Sequence, residues 1–336
     1  MAGQRRRMKV HFARTRVPNG ASIVDTMIDR LAGQAEPQRH VGTADPAEAD
    51  VILFPDCHLL GLDWRLTAIA TTDLARRYPE KVAVYDERDV PWCRFPGIYV
   101  SMPSPCFDRT WQVAGSYYTI EDPTTRLDGG TSSIEQDLLF GFVGGRTHPC
   151  RDAVFALDAD RAHVESTEGF VFYDPTSLHF AERRRNFAEI VFRSKFVLCP
   201  RGWGTSSIRL YETMAAGRAP VIIADEWVPP TGPDWSAFSI TWPEGRIAEL
   251  PRILAEREAD AEEMGRRARL AFDSWFAPAV VLSRQLDQLE ERLRPGGFVG
   301  FPSGGVKDAQ YRRALVANAR TRYHEVKAKV AGVVRR

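Results

Sequence analysis

Short apolar runs alternate along this chain with stretches in which apolar residues recur at helical spacing. In the first half, the apolar runs predict buried strands over residues 9–13, 51–54, 82–85 and 98–102, and the helical patterns predict helices over 22–31 and 64–78. The alternation of strands and helices indicates α/β units built around a largely parallel sheet.

The second half of the chain shows the same alternation. It predicts strands over residues 138–143, 196–198 and 220–223, and helices over 150–157, 179–192, 247–256, 259–272 and 278–293. Between the halves, residues 122–136 are polar and are interrupted by Pro123 and by Gly129-Gly130, which predicts a domain boundary. We therefore expect two α/β domains, one over residues 1–130 and one over residues 131–304.

Residues 305–336 form a basic segment with few acidic residues and a narrow apolar stripe. This pattern predicts a helix that packs back on the N-terminal domain. Docking of the helix on an anionic membrane surface or on a polyanionic acceptor is the alternative, and disorder is a third interpretation.

The segment over residues 194–230 carries the pattern with the most chemistry. A strand at 196–198 runs into a Gly-rich loop at 201–204, and a helix follows that ends at Gly217. The amides of a helix's first turn have no partners within the helix, and the macrodipole favours an anion there. Arg209 can reach a phosphate with a forked set of donors. Glu212 lies about 9 Å below the helix start, given about 1.5 Å per residue, a suitable offset for binding a ribose when the helix start holds a diphosphate.

Further polar residues follow neighbouring strands. Arg146 and Arg151 flank the Gly144-Gly145 turn and could neutralise a departing diphosphate. Acidic residues after the strand at 220–223 could bind the sugar hydroxyls or the nucleobase of the donor. The predicted donor-binding residues are Arg201, Gly202, Ser206, Ser207, Arg209, Glu212, Arg146, Arg151, Asp225 and Glu226.

Structural alternatives remain open for several of these residues. Ser206 and Ser207 could simply cap the helix, and Glu212 could pair with Arg209, because residues three apart are neighbours on a helix. Arg146 and Arg151 could be solvated surface residues.

The same segment resembles the signature of the exostosin family of glycosyltransferases. The resemblance covers about a third of the chain, residues 138–240, and a weaker similarity covers residues 49–55. It is carried by Ser194-x-Phe196-x-Leu198-x-Pro200, Ser207-x-Arg209-x-x-Glu212 and Gly217-x-x-Pro220-Val221-Ile222 with Asp225. The resemblance implies a GT-B fold, in which two Rossmann-like domains flank a cleft. It also implies a nucleotide-sugar donor, usually UDP-linked, and inversion at the anomeric carbon without an essential metal.

Inverting transfer needs a base that takes the proton of the acceptor hydroxyl. We expect this base at the carboxyl end of a strand in the N-terminal domain, where two loops qualify. The loop over residues 86–89 offers Asp86, Glu87 and Asp89, whose proximity would raise one pKa. One of these three is the predicted base, and the sequence does not select among them. The alternative is His58 in the loop that follows the strand at 51–54.

Composition narrows the class of protein. The 336 residues suffice for two domains, and 44% hydrophobic with 26% charged residues is typical of globular proteins. The 45 basic and 44 acidic residues create no overall field that would attract nucleic acid. The five cysteines are scattered and contain no C-x-x-C pair, which predicts a reducing compartment and argues against a zinc site.

No apolar run follows the N-terminal arginines, and none approaches the roughly 18 residues that span a bilayer. We therefore expect a cytoplasmic protein, with the basic segment 305–336 as its candidate contact with a membrane surface.

These observations predict a glycosyltransferase that moves a sugar from a UDP-sugar donor to a hydroxyl of a glycan or glycolipid, with no essential cofactor. A nucleotide-sugar epimerase or phosphorylase-like enzyme on the same fold is one alternative, and it would act on the donor without a glycan acceptor. A non-catalytic glycan-binding subunit is the other, and it would not respond to nucleotides.

Overall fold

The computed structural model describes residues 7–15, 22–33, 39–60, 63, 66–91, 93–127, 134–167 and 179–293. The basic segment predicted over 305–336 lies outside these residues. Contacts divide the chain into two units. The first contains the described residues up to Tyr118, Val228–Thr231 and those from Pro278 onwards, and the second contains Thr119–Trp227 and Gly232–Ala277.

The first unit is a parallel α/β sheet with helices between its strands. In chain order its elements are β1 (Met8–Phe12), α1 (Ile23–Ala32), β2 (His40–Gly42), β3 (Val51–Phe54), α2 (Thr67–Ala70), α3 (Asp73–Arg77), β4 (Val82–Asp86), β5 (Gly97–Tyr99) and β6 (Gln112–Ala114). The strands follow the order β2-β1-β3-β4-β5-β6, and each neighbouring pair is parallel.

The local signals in this unit explain its elements. All four residues of β3 and all five of β4 are buried, as expected of strands covered on both faces. Ser22 caps α1 by accepting a hydrogen bond from the backbone nitrogen of Val24. The single helix predicted over 64–78 is wrong, because the structure has two short helices there. Thr72 ends the first and caps the second, since its hydroxyl donates to the carbonyl of Ile69 and accepts from the nitrogen of Ala75.

The second unit is a separate parallel sheet. Its elements are β7 (Leu138–Gly144), α4 (Pro149–Phe155), β8 (Ala162–Ser166), α5 (Phe180–Arg193), β9 (Ser194–Pro200), α6 (Ile208–Ala215), β10 (Ala219–Ile223), β11 (Ile240–Thr241), α7 (Leu250–Glu256) and α8 (Ala261–Trp275). The strand order is β11-β10-β9-β7-β8, and every pair is parallel. The chain therefore leaves β7 in one direction to β8 and returns on its other side to β9, a topological switch point.

The helix α9 (Val281–Leu293) completes the core of the first unit. Its buried face carries Val281, Leu282, Leu286 and Leu289, which join the core cluster of β1, β3 and β4. Gln285 donates to the hydroxyl of Ser116 at 2.8 Å. The contacts thus assign α9 to the first unit and Thr119 onwards to the second, whereas the sequence suggests a change at residue 130 and places α9 with the second domain.

Two parallel α/β units in succession are the architecture that the sequence predicts. Each unit has the strand–helix alternation of a Rossmann-like domain, and two such domains make up the GT-B fold. The predicted fold class is therefore confirmed.

Two glycines allow α6 and α8 to approach each other closely. Gly217 lies just beyond α6 with φ of +65°, the left-handed conformation that commonly ends a helix. A Cβ on Gly265 of α8 would lie 2.4 Å from the carbonyl oxygen of Gly217. The backbone contact leaves no room for a methyl group.

We predict that Gly265→Ala lowers the free energy of unfolding by about 1–3 kcal/mol, because the added methyl forces α8 away from α6. Denaturant unfolding measures the change. Gly245→Ala in the same unit is the matched control, since a Cβ there has nothing within 4 Å, and we expect a change of at most about 0.5 kcal/mol. Equal stabilities for the two variants would contradict the close contact.

Candidate active site

The carboxyl ends of β7 and β9 lie side by side at the switch point of the second sheet. β7 leads into Gly144-Gly145, β9 leads into the loop over 201–204, and α6 begins shortly after at Ile208. Ligands of open α/β sheets bind outside the carboxyl ends of the strands at such a point. The structure therefore brings together the loops that the sequence predicts to hold the donor.

Arg209 lies in the first turn of α6 and is only 9% exposed. Its guanidinium faces the ring of Phe142 at 4.6 Å and that of Phe187 at 5.6 Å, and Nη2 donates to the carbonyl of Val143. Its Nε is buried and makes no hydrogen bond to any residue that the structure describes. Burial lowers the pKa of Arg209, because desolvation disfavours the charged form. The group is thus a desolvated cation with unused donors.

Glu212, one turn further along α6, is paired with an arginine that the sequence analysis missed. Its Oε1 accepts from Nη2 of Arg126 at 2.6 Å, and the two side chains are only 3% and 4% exposed. The sequence leaves open a pair between Glu212 and Arg209, but in the structure the hydrogen-bonded partner of Glu212 is Arg126. Arg126 lies in the polar stretch interpreted as a boundary, and nothing in its local sequence indicates a partner 86 residues away.

Arg209 and Glu212 are more covered than side chains that simply line an open groove. What they retain is hydrogen-bonding capacity, because Nε of Arg209 has no acceptor in the described part of the chain.

The two serines before α6 do not act as side-chain caps. Ser207 occupies the N-cap position with extended backbone angles, yet its side chain makes no capping hydrogen bond. Ser206 is buried, and its hydroxyl makes no hydrogen bond to a residue that the structure describes. The start of α6 therefore lacks a side-chain cap among the described residues, and an anion could take that place.

Arg151 holds the two loops together. It is 8% exposed, and its guanidinium donates to the carbonyls of Arg201, Gly145 and Pro200 at 2.8, 2.9 and 3.2 Å. A Cβ on Gly202 would lie 3.4 Å from Nη2 of Arg151, so the loop passes close to the guanidinium. Arg151 is therefore an architectural residue of the switch point.

Arg146 faces outward. Its Nη1 donates to Asp152 at 2.6 Å, its side chain is 44% exposed, and its guanidinium lies over the ring of Phe155 at 4.4 Å. The structure thus supports a surface location for Arg146 and gives it an acidic partner.

Arg201 lies among acidic groups. Its Nη1 is 3.9 Å from the carboxylate of Glu226 and 4.0 Å from that of Glu244, beyond hydrogen-bonding distance. Its Nη2 donates to the carbonyl of Trp203 at 3.4 Å. Arg201 is thus partly neutralised by neighbours, unlike Arg209.

Asp225 and Glu244 fix each other's loops. The nitrogen of Asp225 donates to Glu244 at 3.1 Å, and the nitrogen of Glu244 donates to Asp225 at 3.0 Å. Desolvation by burial raises the pKa of Glu244. Glu244 is absent from the predicted site because it lies in a polar segment with no motif around it.

Glu244 also lies beside His148 and Cys150, and the potential ligand atoms of the three lie within 4.8 Å of one another. His148 caps α4 by accepting from the nitrogen of Cys150 at 3.3 Å. Burial raises the pKa of the Cys150 thiol to about 12. These are residue types that bind zinc, and within the described ranges this is the one such group.

In the loop over residues 86–89 of the first unit, the three carboxylates differ in burial and in hydrogen-bond partners. Asp86 is 2% exposed and accepts three hydrogen bonds from Arg88, at 2.8 to 3.0 Å. Glu87 is half-buried and accepts from the backbone nitrogen of Tyr118. Burial raises the pKa of Glu87 to about 7, the hydrogen bond from Tyr118 opposes the rise, and the charge of Asp86 adds to it. Asp89 is half-buried.

The alternative loop is held by its aspartate. Asp56 is 1% exposed and accepts from the nitrogen and hydroxyl of Thr15 at 2.7 and 2.8 Å. The side chain of His58 lies outside the described part of the structure.

Among the described helices, none combines the length and apolar character needed to cross a bilayer.

Residues 106–256 match the family model of the Exostosin GT47 domain. The match contains every predicted donor-binding residue and excludes the loop over 86–89. A protein described as Exostosin-1 homolog from Caenorhabditis elegans is 30% identical over 103 residues, which are 30% of this chain and 27% of that protein. The chain spans about a quarter of the length of the curated relatives it matches.

Two solved structures resemble the chain at low sequence identity. MurG from Acinetobacter baumannii has a TM-score of 0.34 and 10% identity, over 73% of this chain and 74% of that one. Anabaena HepE in complex with UDP has a TM-score of 0.35 and 12% identity, over 84% of this chain and 98% of that one.

The contrast between Arg151 and Arg146 yields a prediction about stability. Arg151→Gln should lower the free energy of unfolding by about 2–4 kcal/mol, because it leaves buried carbonyls without donors. Arg146→Gln should change it by less than about 1 kcal/mol, as expected for an exposed ion pair. Denaturant unfolding of both variants measures this, and a larger effect for Arg146 would show that the assignment is reversed.

Proposed function

We propose that this chain is a glycosyltransferase of the exostosin type that transfers a sugar from a UDP-sugar to a hydroxyl of a glycan or glycolipid, with inversion and without an essential metal. The match of residues 106–256 to the Exostosin GT47 domain supports the class of reaction. We further propose that it acts in the cytoplasm, which the sequence predicts from its scattered cysteines.

One observation carries the proposal: Arg209 is buried at the switch point with donors that no described residue accepts. Removing a cation from water is costly unless an anion or hydrogen-bond acceptors compensate for it. A diphosphate would supply both. A charge-assisted hydrogen bond contributes about 1.5–3 kcal/mol, so a few of them suffice for micromolar binding.

The second unit would bind the donor by its diphosphate and ribose. The start of α6, which lacks a side-chain cap, and Arg209 would hold the diphosphate, and Glu212 would accept a hydrogen bond from the ribose. The same positive groups would stabilise the negative charge that develops on UDP as it leaves. The role that a metal ion has in other transferases would then fall to α6 and Arg209.

The first unit would supply the base, and Glu87 is the candidate that its environment favours. Asp86 is saturated by Arg88, whereas Glu87 has a pKa of about 7, which suits proton abstraction near neutral pH. The acceptor oxygen would form a bond to the anomeric carbon as the bond from that carbon to UDP breaks. The hydroxyl proton would pass to the carboxylate of Glu87.

We predict that Arg209→Met raises the Kd for UDP at least 30-fold, because the variant keeps contact with Phe142 but loses the cation. Isothermal titration calorimetry measures the Kd. Arg252→Met is the matched control, since Arg252 is exposed on α7 and forms a surface ion pair with Glu256. Unaltered affinity in Arg209→Met would remove the diphosphate from this helix.

We predict that Glu87→Gln lowers kcat by about 10²–10⁴-fold and leaves the Kd for UDP unchanged, the effect of losing a general base. Asp89→Asn is the control and should retain activity within about threefold, as expected for a residue outside the proton transfer. The raised pKa means that Glu87 is protonated at low pH, so kcat/KM should rise with pH up to about 7 and then level off. Initial rates with a UDP-sugar and an acceptor measure kcat and kcat/KM for the three proteins.

The same assay tests metal independence, because loss of activity on addition of EDTA would contradict it.

A further inference from the structure

The segment over residues 119–127 is anchored to the second unit by ion pairs to three helices. Glu121 pairs with Arg184 of α5, and Asp122 pairs with Arg269 of α8 at 3.1 Å. The third is the pair of Arg126 with Glu212 of α6. The sequence predicts a flexible boundary here, whereas the structure shows a segment fixed on the helices that surround the candidate site.

Arg126 and Arg209 lie against the same aromatic ring. The guanidinium of Arg126 is 5.3 Å from the centre of the Phe187 ring, and that of Arg209 is 5.6 Å from it. Both side chains are buried, and the carboxylate of Glu212 is bonded to Arg126. Arg126 also donates to Glu121 at 3.2 Å, but its shorter hydrogen bond is the one to the buried carboxylate of Glu212.

This choice of partner matters because Glu212 has a second cation within reach. Arg209 precedes Glu212 by three residues on α6, a spacing at which helical side chains meet. Pairing between these two would occupy the carboxylate and satisfy the unused donors of Arg209 at once. In the structure Oε1 instead accepts from Nη2 of Arg126 at 2.6 Å. The second oxygen of Glu212 makes no hydrogen bond to a described residue.

We propose that Arg126 is a positioning residue that keeps Glu212 away from Arg209, so that the guanidinium is left for the diphosphate and the carboxylate for the ribose. The proposal rests on the proposed function. Arg126 would touch neither group of the ligand, and its effect on binding would pass through Glu212, although Arg126 also donates to Glu121.

The experiment compares the Kd values of UDP and 2′-deoxy-UDP by calorimetry for the full chain and its variants. For the unmodified protein we expect UDP to bind about tenfold more tightly, because Glu212 binds the ribose. Glu212→Gln should reduce this preference to less than threefold. Arg126→Gln should do the same and also weaken UDP binding at least tenfold, because the freed carboxylate then pairs with Arg209.

The double variant Arg126→Gln/Glu212→Gln separates positioning from a merely structural role. With the carboxylate gone, Arg209 has no competitor, so UDP affinity should recover to the value of Glu212→Gln alone. A structural role predicts the opposite, since two lost partners would weaken binding at least as much as one. Arg269→Gln is the control, because it loosens the same segment at Asp122 rather than at Glu121, which also accepts from Arg126 at 3.2 Å, and it should leave the preference for UDP unchanged.

Arg126→Lys provides a second test if Arg126→Gln does not fold, since lysine keeps the charge but lacks the planar fork. We expect it to lower the preference for UDP about threefold. An unchanged preference in a folded Arg126 variant, or no recovery in the double variant, would overturn the inference and leave the proposed function intact. Failure of the unmodified protein to bind any nucleotide would overturn both.

Discussion

The second unit depends on a cation that is buried without a carboxylate of its own. Arg209 is held by two aromatic faces and one carbonyl, which compensate only in part for the water it has lost. The end of β7 has to accommodate it, because a Cβ on Gly144 would lie 2.7 Å from its Nη2. The glycine at the end of β7 is therefore required by the guanidinium as well as by the sheet.

Four arginines of the second unit, Arg209 among them, make different contacts although the sequence does not distinguish them. Arg151 joins loops through carbonyls, Arg126 holds a carboxylate, Arg146 lies at the surface, and Arg209 has no carboxylate partner among the described residues and keeps a buried Nε without an acceptor there. What separates them is the number of acceptors each can reach. That number depends on where distant loops pass, and it is not encoded in the residues beside each arginine.

Features set by the local sequence could be predicted, and features set by distant contacts could not. Central strands such as β3, β4 and β9 are continuous apolar runs and could be predicted, whereas β2, β6, β8 and β11 were missed. Those four are the edge strands of the two sheets, only two to five residues long. The motif around Arg209 and Glu212 predicted a strand, a loop and a helix start in succession, and the structure has β9, the loop over 201–204 and α6 there. Arg126 and Glu244 could not be found, because their importance arises from contacts between segments far apart in the chain.

The return of α9 to the first sheet has a consequence for biosynthesis. The strands whose apolar face receives Val281 and Leu289 are synthesised early, but α9 itself is synthesised completely only when the chain has grown to residue 293. The strands and helices of the second unit are complete by Trp275. All elements of the second unit are therefore synthesised before the last helix of the first, and the apolar face of the first sheet has no cover from α9 until then.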